Sequence, residues 1–118
     1  MSRDEAYLED IARAANKIAG FISGTSKEAF HGDEKTQLAI LHLFVLIGEA
    51  ARRLSDEARA MDVDESLRKA IATRNIIVHQ YDAVDVDIVW QTALEDIPRV
   101  GAMAAKLAHG LRHTGEVE

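Results

Sequence analysis

Residues 35–54 read KTQLAILHLFVLIGEAARRL, and this stretch predicts the helix on which the fold depends. Its apolar residues recur at helical spacing over a wide stripe, which is typical of a helix with neighbours on more than one side. These residues are Leu38, Leu41, Phe44, Val45, Ile47, Ala51 and Leu54. We therefore expect a central helix here, with Asp33 as its N-cap.

A narrower apolar seam predicts another helix before the central one. Its members are Leu8, Ile11, Ala15, Ile18 and Ile22. Ser2 and Glu5 have the spacing of a capping box at its start, and Gly24 is expected to end it. The polar segment that follows, up to Gly32, is then predicted to be a connecting loop, from which Phe30 inserts into the core.

Two further helices are predicted after the central one. The first is outlined by Leu67, Ala70, Ile71, Ile77 and Val78 and should fray near His79. The last has apolar residues at four-three spacing, namely Val86, Trp90, Ala93, Ile97, Val100, Ala104, Leu107 and Leu111. Pro98 interrupts this last helix. Because proline lacks an amide donor and clashes with the preceding turn, we expect a kink near Asp96 and Ile97.

These segments together predict an all-α fold, an up-and-down bundle of four main helices plus short helical turns. One such turn should begin at Ser55, a residue type that favours N-caps. The chain has 118 residues, the length of a single domain. We assign residues 1–112 to one helical-bundle domain and expect a disordered tail over residues 113–118.

Composition restricts the cellular setting. The chain has no cysteine, which excludes disulfides, thiolate nucleophiles and sulfur-ligated zinc and fits a reducing compartment. The most apolar stretch, residues 38–48, is shorter than the roughly 20 residues that a membrane span needs. The acidic N-terminus lacks the order of a signal peptide. A soluble, cytoplasmic protein without membrane contact is expected.

The formal net charge of −6 argues against broad affinity for nucleic acid, because phosphate binding relies on Lys and Arg to displace counterions. Any RNA contact must then be local. The middle of the chain has a basic bias, made by Arg52, Arg53, Arg59, Arg68, Lys69 and Arg74. On charge alone, these residues are explained by a solvated helix surface.

Familiar catalytic motifs are missing from the sequence. It contains no glycine-rich phosphate loop and no Gly-x-Ser-x-Gly elbow. Glu28 and His31 have the Glu-x-x-His spacing of di-iron bundles, but the second such motif that those sites require is missing. His109 and His113 lie one helical turn apart without an obvious third ligand. We therefore expect neither a metal nor another cofactor.

The segment Arg74-Asn75-Ile76-Ile77-Val78-His79-Gln80-Tyr81 is the candidate site. Its apolar trio, residues 76–78, is expected to anchor the backbone in the core while polar side chains emerge on either side. Asn75 and His79 share a helix face. Arg74 and His79, however, are separated by about 140° on an ideal helix, so they converge only if the helix ends there or a second subunit supplies one of them.

These side chains suit cleavage of a phosphodiester by the RNA's own 2′-hydroxyl. Histidine can move the proton, arginine can bind the phosphate as charge develops, and asparagine can orient either one without a metal. The alternative is a structural helix end, where Arg74 pairs with an acid, His79 interacts with the last carbonyls and Tyr81 packs.

Glu49 is a candidate supporting residue. It lies in the small, apolar stretch Ile47-Gly48-Glu49-Ala50-Ala51, where a buried carboxylate would need a cationic partner. We hypothesise that it orients Arg74. An exposed Glu49 fits the helical periodicity equally well.

Three blocks of the sequence resemble the HepT-like branch of the HEPN domain family. They are residues 47–55, the Arg74-Asn75…His79-Gln80-Tyr81 segment, and residues 84–98. The resemblance covers nearly the whole chain. One departure lies just before the motif helix, where many members have a proline and a tryptophan and this chain reads Asp64-Glu65-Ser66-Leu67-Arg68. The departure affects local packing, because the motif residues are all present.

The resemblance implies a homodimer in which Arg74 and His79 of both subunits form a composite cleft that cuts RNA without a metal, with Asn75 beside the arginine. It implies a toxin of a toxin-antitoxin system, with a minimal nucleotidyltransferase (MNT-type) antitoxin as partner. That partner would silence the toxin by transferring AMP from ATP to Tyr81. Adding AMP would place bulk and negative charge where the RNA phosphate should bind. The alternative function is a noncatalytic nucleotide-binding or docking subunit of a nucleotidyltransferase complex.

Overall fold

A computed structural model describes the backbone of residues 3–117 and the side chains of residues 3–113. Within that range the chain is helical and contains no strand, so the predicted all-α class is confirmed. The α-helices are α1 (Arg3–Ile22), α2 (Lys27–His31), α3 (Glu34–Arg52), α4 (Asp56–Ala60), α5 (Ser66–His79), α6 (Val86–Gln91) and α7 (Ile97–Val117). A 3-10 turn covers Tyr81–Ala83, and a π-helical turn covers Thr92–Asp96.

The long helices α1, α3, α5 and α7 form the bundle, with α3 between α1 and α5 and with α7 against α1. The apolar seam predicted for α1 is buried in full. Asp4, near the start of α1, accepts hydrogen bonds from the amide (2.9 Å) and the hydroxyl (2.6 Å) of Ser55, which follows α3. The two helices are therefore antiparallel and joined at this end.

The contact between α3 and α5 is unusually close at Gly48. A Cβ atom at this position would overlap Arg74 Cβ and would lie 2.9 Å from the carbonyl oxygen of Ala70. Only a residue without a side chain lets the backbone of α3 approach α5 to this distance. The close contact places the stem of Arg74 directly on α3.

Phe30 is fully buried, as the sequence predicts, but the segment that carries it is not a loop. It is the short helix α2, whose N-cap Ser26 accepts a hydrogen bond from the Ala29 amide at 3.0 Å. The ring of Phe30 packs on Trp90, with centroids 5.1 Å apart. The prediction of a loop was wrong because the Ser26 cap stabilises a helix too short for periodicity to reveal.

The predicted interruption before Pro98 takes the form of a π-helical turn. The amide of Ile97 donates to the carbonyl of Thr92, five residues back, and α7 continues from there through Pro98. Proline cannot donate to the preceding turn, and a π turn is one known way to accommodate such a break within a continuous helix.

The start of α5 coincides with the departure from the family pattern. Glu65, the N-cap position, has a left-handed backbone (φ 55°) and makes no side-chain cap. The cap comes instead from the buried Asp62, whose Oδ2 accepts a hydrogen bond from the Leu67 amide at 2.7 Å. A residue from the preceding connection thus fixes the first turn of the helix that carries the candidate site.

Two predictions concern the chain ends. Ser2, half of the predicted capping box, lies outside the described residues, while Glu5 is buried and accepts from Arg112 Nε at 3.2 Å. The backbone of α7 extends to Val117, and the side chains after His113 are also outside the described residues. The domain limit at residue 112 and the disordered tail stay predictions.

Candidate functional site

Arg74 projects from α5 against α3 and forms an ion pair with Glu49. Arg74 Nη2 lies 2.6 Å from Glu49 Oε1, and the two side chains are 20% and 21% exposed. The contact proposed from the sequence is therefore present, and the alternative of a fully exposed Glu49 is wrong. A charge-assisted hydrogen bond of this length at a partly buried position holds the guanidinium in one orientation.

Glu49 also pairs with the two arginines at the end of α3. Its Oε2 lies 3.2 Å from Arg52 Nη2 and 3.9 Å from Arg53 Nη2. Partial burial raises the pKa of Glu49, but the hydrogen bond and charge of Arg52, together with the charge and hydrogen bond of Arg74, outweigh it and lower the pKa below its ordinary value. Glu49 is therefore a carboxylate at neutral pH.

Asn75 completes the contacts of the guanidinium. Arg74 Nη1 donates to Asn75 Oδ1 at 2.8 Å. Arg74 Nε is buried without a hydrogen-bond partner. Asn75 thus has the orienting role toward Arg74 that the sequence analysis allowed, and the unpaired Nε is a desolvation cost that the fold carries at this position.

His79 is the last residue of α5, and its side chain is exposed. The helix ends there, as predicted, and the amide of Gln80 donates to the carbonyl of Ile76 at 2.8 Å. Within the described residues, no hydrogen bond or ion pair joins His79 to Arg74 or to Asn75. Both Arg74 and His79 belong to one continuous helix, so the end of the helix does not bring them together in one chain.

Tyr81 begins the 3-10 turn just after His79 and is 55% exposed. It lines a shallow groove with Leu38 and Leu41 of α3 and with Val84. The ring thus rests on apolar neighbours while much of the side chain faces solvent. This exposure leaves Tyr81 accessible to another macromolecule.

The apolar trio does not anchor the backbone as the sequence analysis expected. Ile77 is buried, whereas Ile76 and Val78 are 56% and 48% exposed. On α3, Leu38 and Leu46 are also large apolar residues on the surface, 41% and 45% exposed. The prediction was wrong because consecutive residues of a helix point about 100° apart, so three in a row cannot all face one core.

The histidine pairs form other contacts. His31 Nε2 is 2.7 Å from Asp87 Oδ1, and Lys27 Nζ is 3.3 Å from the same oxygen. The rings of His109 and His113 contact each other at a tilt, with centroids 3.9 Å apart and planes 59° apart. No group of three or more potential metal-ligating side chains of His, Cys, Asp or Glu occurs among the described residues.

The close packing at Gly48 was not predicted from the sequence. A glycine inside a strongly helical stretch, immediately before the candidate Glu49, was the available signal for a close helix contact. The exposure of Leu46 and Val78 was not predicted either, because the spacing of apolar residues along one chain does not show which of them stay on the surface. Across the described part of the chain, no helix has the length and apolar character needed to cross a membrane.

Comparison with known proteins identifies the family. The model of a family described as ribonuclease HepT-like matches residues 11–107. A probable ribonuclease HepT of Thermococcus cleftensis is 35% identical over 101 residues, which cover 86% of this chain and 92% of that protein. A candidate RNase of Methanocaldococcus jannaschii is 26% identical, covering 81% of this chain and 88% of its own length.

A candidate RNase of Caldanaerobacter subterraneus subsp. tengcongensis is also similar, at 28% identity over 85% of this chain and 89% of its own length. No solved structure gives a significant match. The matched region of the family model contains the whole Glu49, Arg74, His79 and Tyr81 arrangement. The chain therefore belongs to the HepT-like ribonuclease family.

Proposed function

We propose that the protein is a metal-independent endoribonuclease whose active site is a composite cleft at the interface of a homodimer. The observation that carries this proposal is the fixed guanidinium of Arg74, held by Glu49 and Asn75 at a surface, with His79 on a different face of the same helix. A second copy of α5, related by a two-fold axis, can bring His79 of one chain to Arg74 of the other.

The proposed reaction uses the substrate's own nucleophile. The 2′-oxygen attacks the adjacent phosphorus, the bond to the 5′-oxygen breaks, and the products are a 2′,3′-cyclic phosphate and a 5′-hydroxyl. His79 moves the proton between these oxygens. Arg74 binds the non-bridging phosphate oxygens, where negative charge builds in the transition state. Asn75 acts as a positioning residue for Arg74.

Exposed apolar side chains support dimerisation through this face. Ile76 and Val78 on α5 and Leu38 and Leu46 on α3 are large apolar residues about half exposed, on the two helices that hold the Glu49–Arg74 pair. Apolar side chains on such a surface favour association with another protein surface. A self-complementary contact there would place two copies of the candidate site in one cleft.

For regulation, we propose a toxin-antitoxin pair in which a nucleotidyltransferase of the minimal type transfers AMP to Tyr81. The phenolic oxygen would attack the α-phosphorus of ATP and pyrophosphate would leave. Tyr81 is 55% exposed and lies two residues after His79, so the added phosphate would occupy space beside the general acid-base. Its negative charge would repel the RNA phosphate.

The test is cleavage of RNA by the purified chain in the presence of a chelator. Activity with EDTA, fragments with 2′,3′-cyclic phosphate ends, and a loss of at least about a hundredfold in Arg74→Ala and His79→Ala are expected. Cleavage that persists in both variants, or that needs an added divalent cation, would contradict the mechanism.

The regulatory part of the proposal has its own measurement. Incubation with ATP and the partner nucleotidyltransferase should add one AMP mass to the wild-type chain and none to Tyr81→Phe, and it should stop RNA cleavage. A chain that docks the partner but never cleaves RNA would instead support the noncatalytic docking subunit.

A further inference from the structure

A groove between α1 and α3 lies directly beside the Glu49–Arg74 pair. Tyr7, Arg13 and Lys17 of α1 line one wall, and Glu49 and Arg53 line the other. Its volume is about 230 Å³, on the scale of a single nucleobase. Glu49 belongs to both features, since it lines this α1–α3 groove and accepts the hydrogen bond of Arg74. The groove is therefore continuous with the candidate site.

The charges along the α1–α3 groove do not cancel. The two acidic side chains of the groove are already in ion pairs. Asp10 pairs with Arg13 at an N–O distance of 2.9 Å, and Glu49 pairs with Arg74 at 2.6 Å. Lys17 makes no ion pair or hydrogen bond among the described side chains, and Arg53 approaches Glu49 only at 3.9 Å without a side-chain hydrogen bond. Two cations are thus available beside the catalytic arginine, in a chain whose net charge is −6. This is the local cationic surface that an acidic protein needs to hold a polyanion.

The direction of the groove follows from the antiparallel packing of its walls. Because Asp4 contacts Ser55, Tyr7 and Arg53 lie toward one end of the groove and Lys17 toward the other. The ten helical steps from Tyr7 to Lys17 cover about 15 Å. That length exceeds one nucleotide, so the groove can follow a strand on either side of the phosphate bound by Arg74.

Tyr7 adds an aromatic ring to this cationic track. Its side chain is partly buried against the core and partly exposed to the groove. Aromatic rings beside positive charge are the usual means of binding single-stranded nucleic acid, because a base stacks on the ring while its phosphates contact the cations.

We propose that the α1–α3 groove is a subsite for the single-stranded RNA that flanks the cleaved bond, with Lys17 and Arg53 on backbone phosphates and Tyr7 under a base. The inference rests on the proposed ribonuclease function and extends it. It makes RNA binding a property of α1 and α3 as well as of the motif helix α5.

The test measures binding separately from cleavage. In a His79→Ala background, a fluorescent single-stranded RNA is titrated at several salt concentrations. Lys17→Glu and Arg53→Glu should each weaken binding by about tenfold and reduce the salt slope by about 0.7 for each phosphate contact removed. Lys17→Gln should give a smaller loss of the same kind, and Tyr7→Ala, but not Tyr7→Phe, should weaken binding by about fivefold or more.

Matched controls reverse the same charge elsewhere. Arg59 and Arg68 are exposed and pair with acids within their own helix or its cap, at 3.1 and 3.5 Å, outside the groove. Arg59→Glu and Arg68→Glu should change the Kd less than twofold. Equal losses in groove and control variants would overturn the subsite, since they would reflect net charge alone.

The outcomes also separate this inference from the proposed function. Cleavage by the wild-type chain with no selective effect of the groove variants would defeat the subsite and leave the ribonuclease intact. Selective loss of RNA binding in a chain that never cleaves RNA would support the subsite and contradict the ribonuclease. Groove variants that bind RNA normally but lose the nucleotidyltransferase would overturn the subsite and assign the groove to that protein.

Discussion

Gly48 sets the distance between the two helices that carry the site. A methyl group there would overlap Arg74 Cβ and crowd the Ala70 carbonyl. We therefore expect Gly48→Ala to lower the free energy of unfolding by about 1–3 kcal/mol, because α5 must move away from α3. Denaturant unfolding followed by circular dichroism gives this difference.

Gly20 provides the control for Gly48. It lies in α1, and a Cβ atom there would meet nothing within 4 Å. Gly20→Ala should be neutral or stabilising by about 0.5–1 kcal/mol, since alanine loses less entropy than glycine in a helix. An equal loss of unfolding free energy in the two variants would mean that the close contact with Arg74 is not the reason why position 48 requires glycine.

The pairing of Glu49 predicts a pH dependence for its removal. The pKa of Glu49 lies below its ordinary value in the folded chain, so its contribution to stability is present above the unfolded pKa and is lost as the pH falls through the folded one. The stability difference between wild type and Glu49→Gln should be largest near neutral pH and should shrink in acid.

Glu57 is the matched carboxylate for this measurement, because it is exposed and forms no ion pair among the described residues. Glu57→Gln should show a small difference that changes little with pH. A Glu49→Gln difference that stays constant down to acid pH would contradict the ion pair with Arg74.

Single residues were predictable where a strong local rule applied. Glu49 lies in a small, apolar stretch, which suggested a cationic partner although an exposed Glu49 fitted the periodicity equally well, and the ion pair with Arg74 decides for the partner. The exposure of Ile76 and Val78 was not predictable, because a run of apolar residues does not show which of them lie on the surface. The roles of Arg74, Asn75 and His79 in cleavage stay predictions.

At the scale of the elements, α5 depends on a cap that comes from outside the helix. Asp62 Oδ2 accepts a hydrogen bond from the Leu67 amide at 2.7 Å, while Asp62 Oδ1 is buried without a hydrogen-bond partner. Asp62→Ala should lower the free energy of unfolding by about 0.5–2 kcal/mol, the usual cost of losing an N-cap. Hydrogen exchange of the first-turn amides of α5 should quicken most.

The control for this cap is Asp64, an exposed carboxylate of the same connection that makes no ion pair or hydrogen bond within the described residues. Asp64→Ala should leave both the stability and the exchange of α5 within about 0.5 kcal/mol of wild type. A loss as large as that of Asp62→Ala would assign the effect to charge rather than to capping.

The long helices could be predicted from sequence because each repeats its apolar residues over several turns. Shorter elements have too little periodicity and could be predicted only from a cap. Ser55 predicted the turn that forms α4, whereas Ser26, the cap of α2, was not recognised. Pro98 predicted the position of the break before α7, but it did not predict that the break is a π-helical turn. Whether a helix kinks or widens into a π turn depends on packing partners that a single segment does not contain.

At the scale of the whole molecule, the proposed composite cleft predicts complementation between two inactive chains. A dimer of an Arg74→Ala chain with a His79→Ala chain keeps one arginine and one histidine, each from a different subunit. About half of randomly mixed dimers are of this kind. Since a two-fold symmetric dimer has two such pairs and the mixed dimer keeps one, mixing should restore about a quarter of the wild-type cleavage rate if the pairs act independently, and up to about half if one pair is enough.

The control mixes Arg74→Ala with the double variant Arg74→Ala, His79→Ala, which leaves no intact arginine in any dimer. That mixture should stay inactive. If the first mixture also stayed inactive while native mass measurements showed mixed dimers, the two residues would have to act within one chain.

Under the proposed transfer of AMP to Tyr81, the exposed position of this residue, two after His79, determines how inhibition would accumulate in a population of dimers. If one cleft serves each dimer, a single AMP on either subunit is enough to close it. With half of the tyrosines modified at random, only about a quarter of the dimers would still have an open cleft. The fraction of silenced dimers would then exceed the fraction of modified chains, by up to about twofold when few chains are modified.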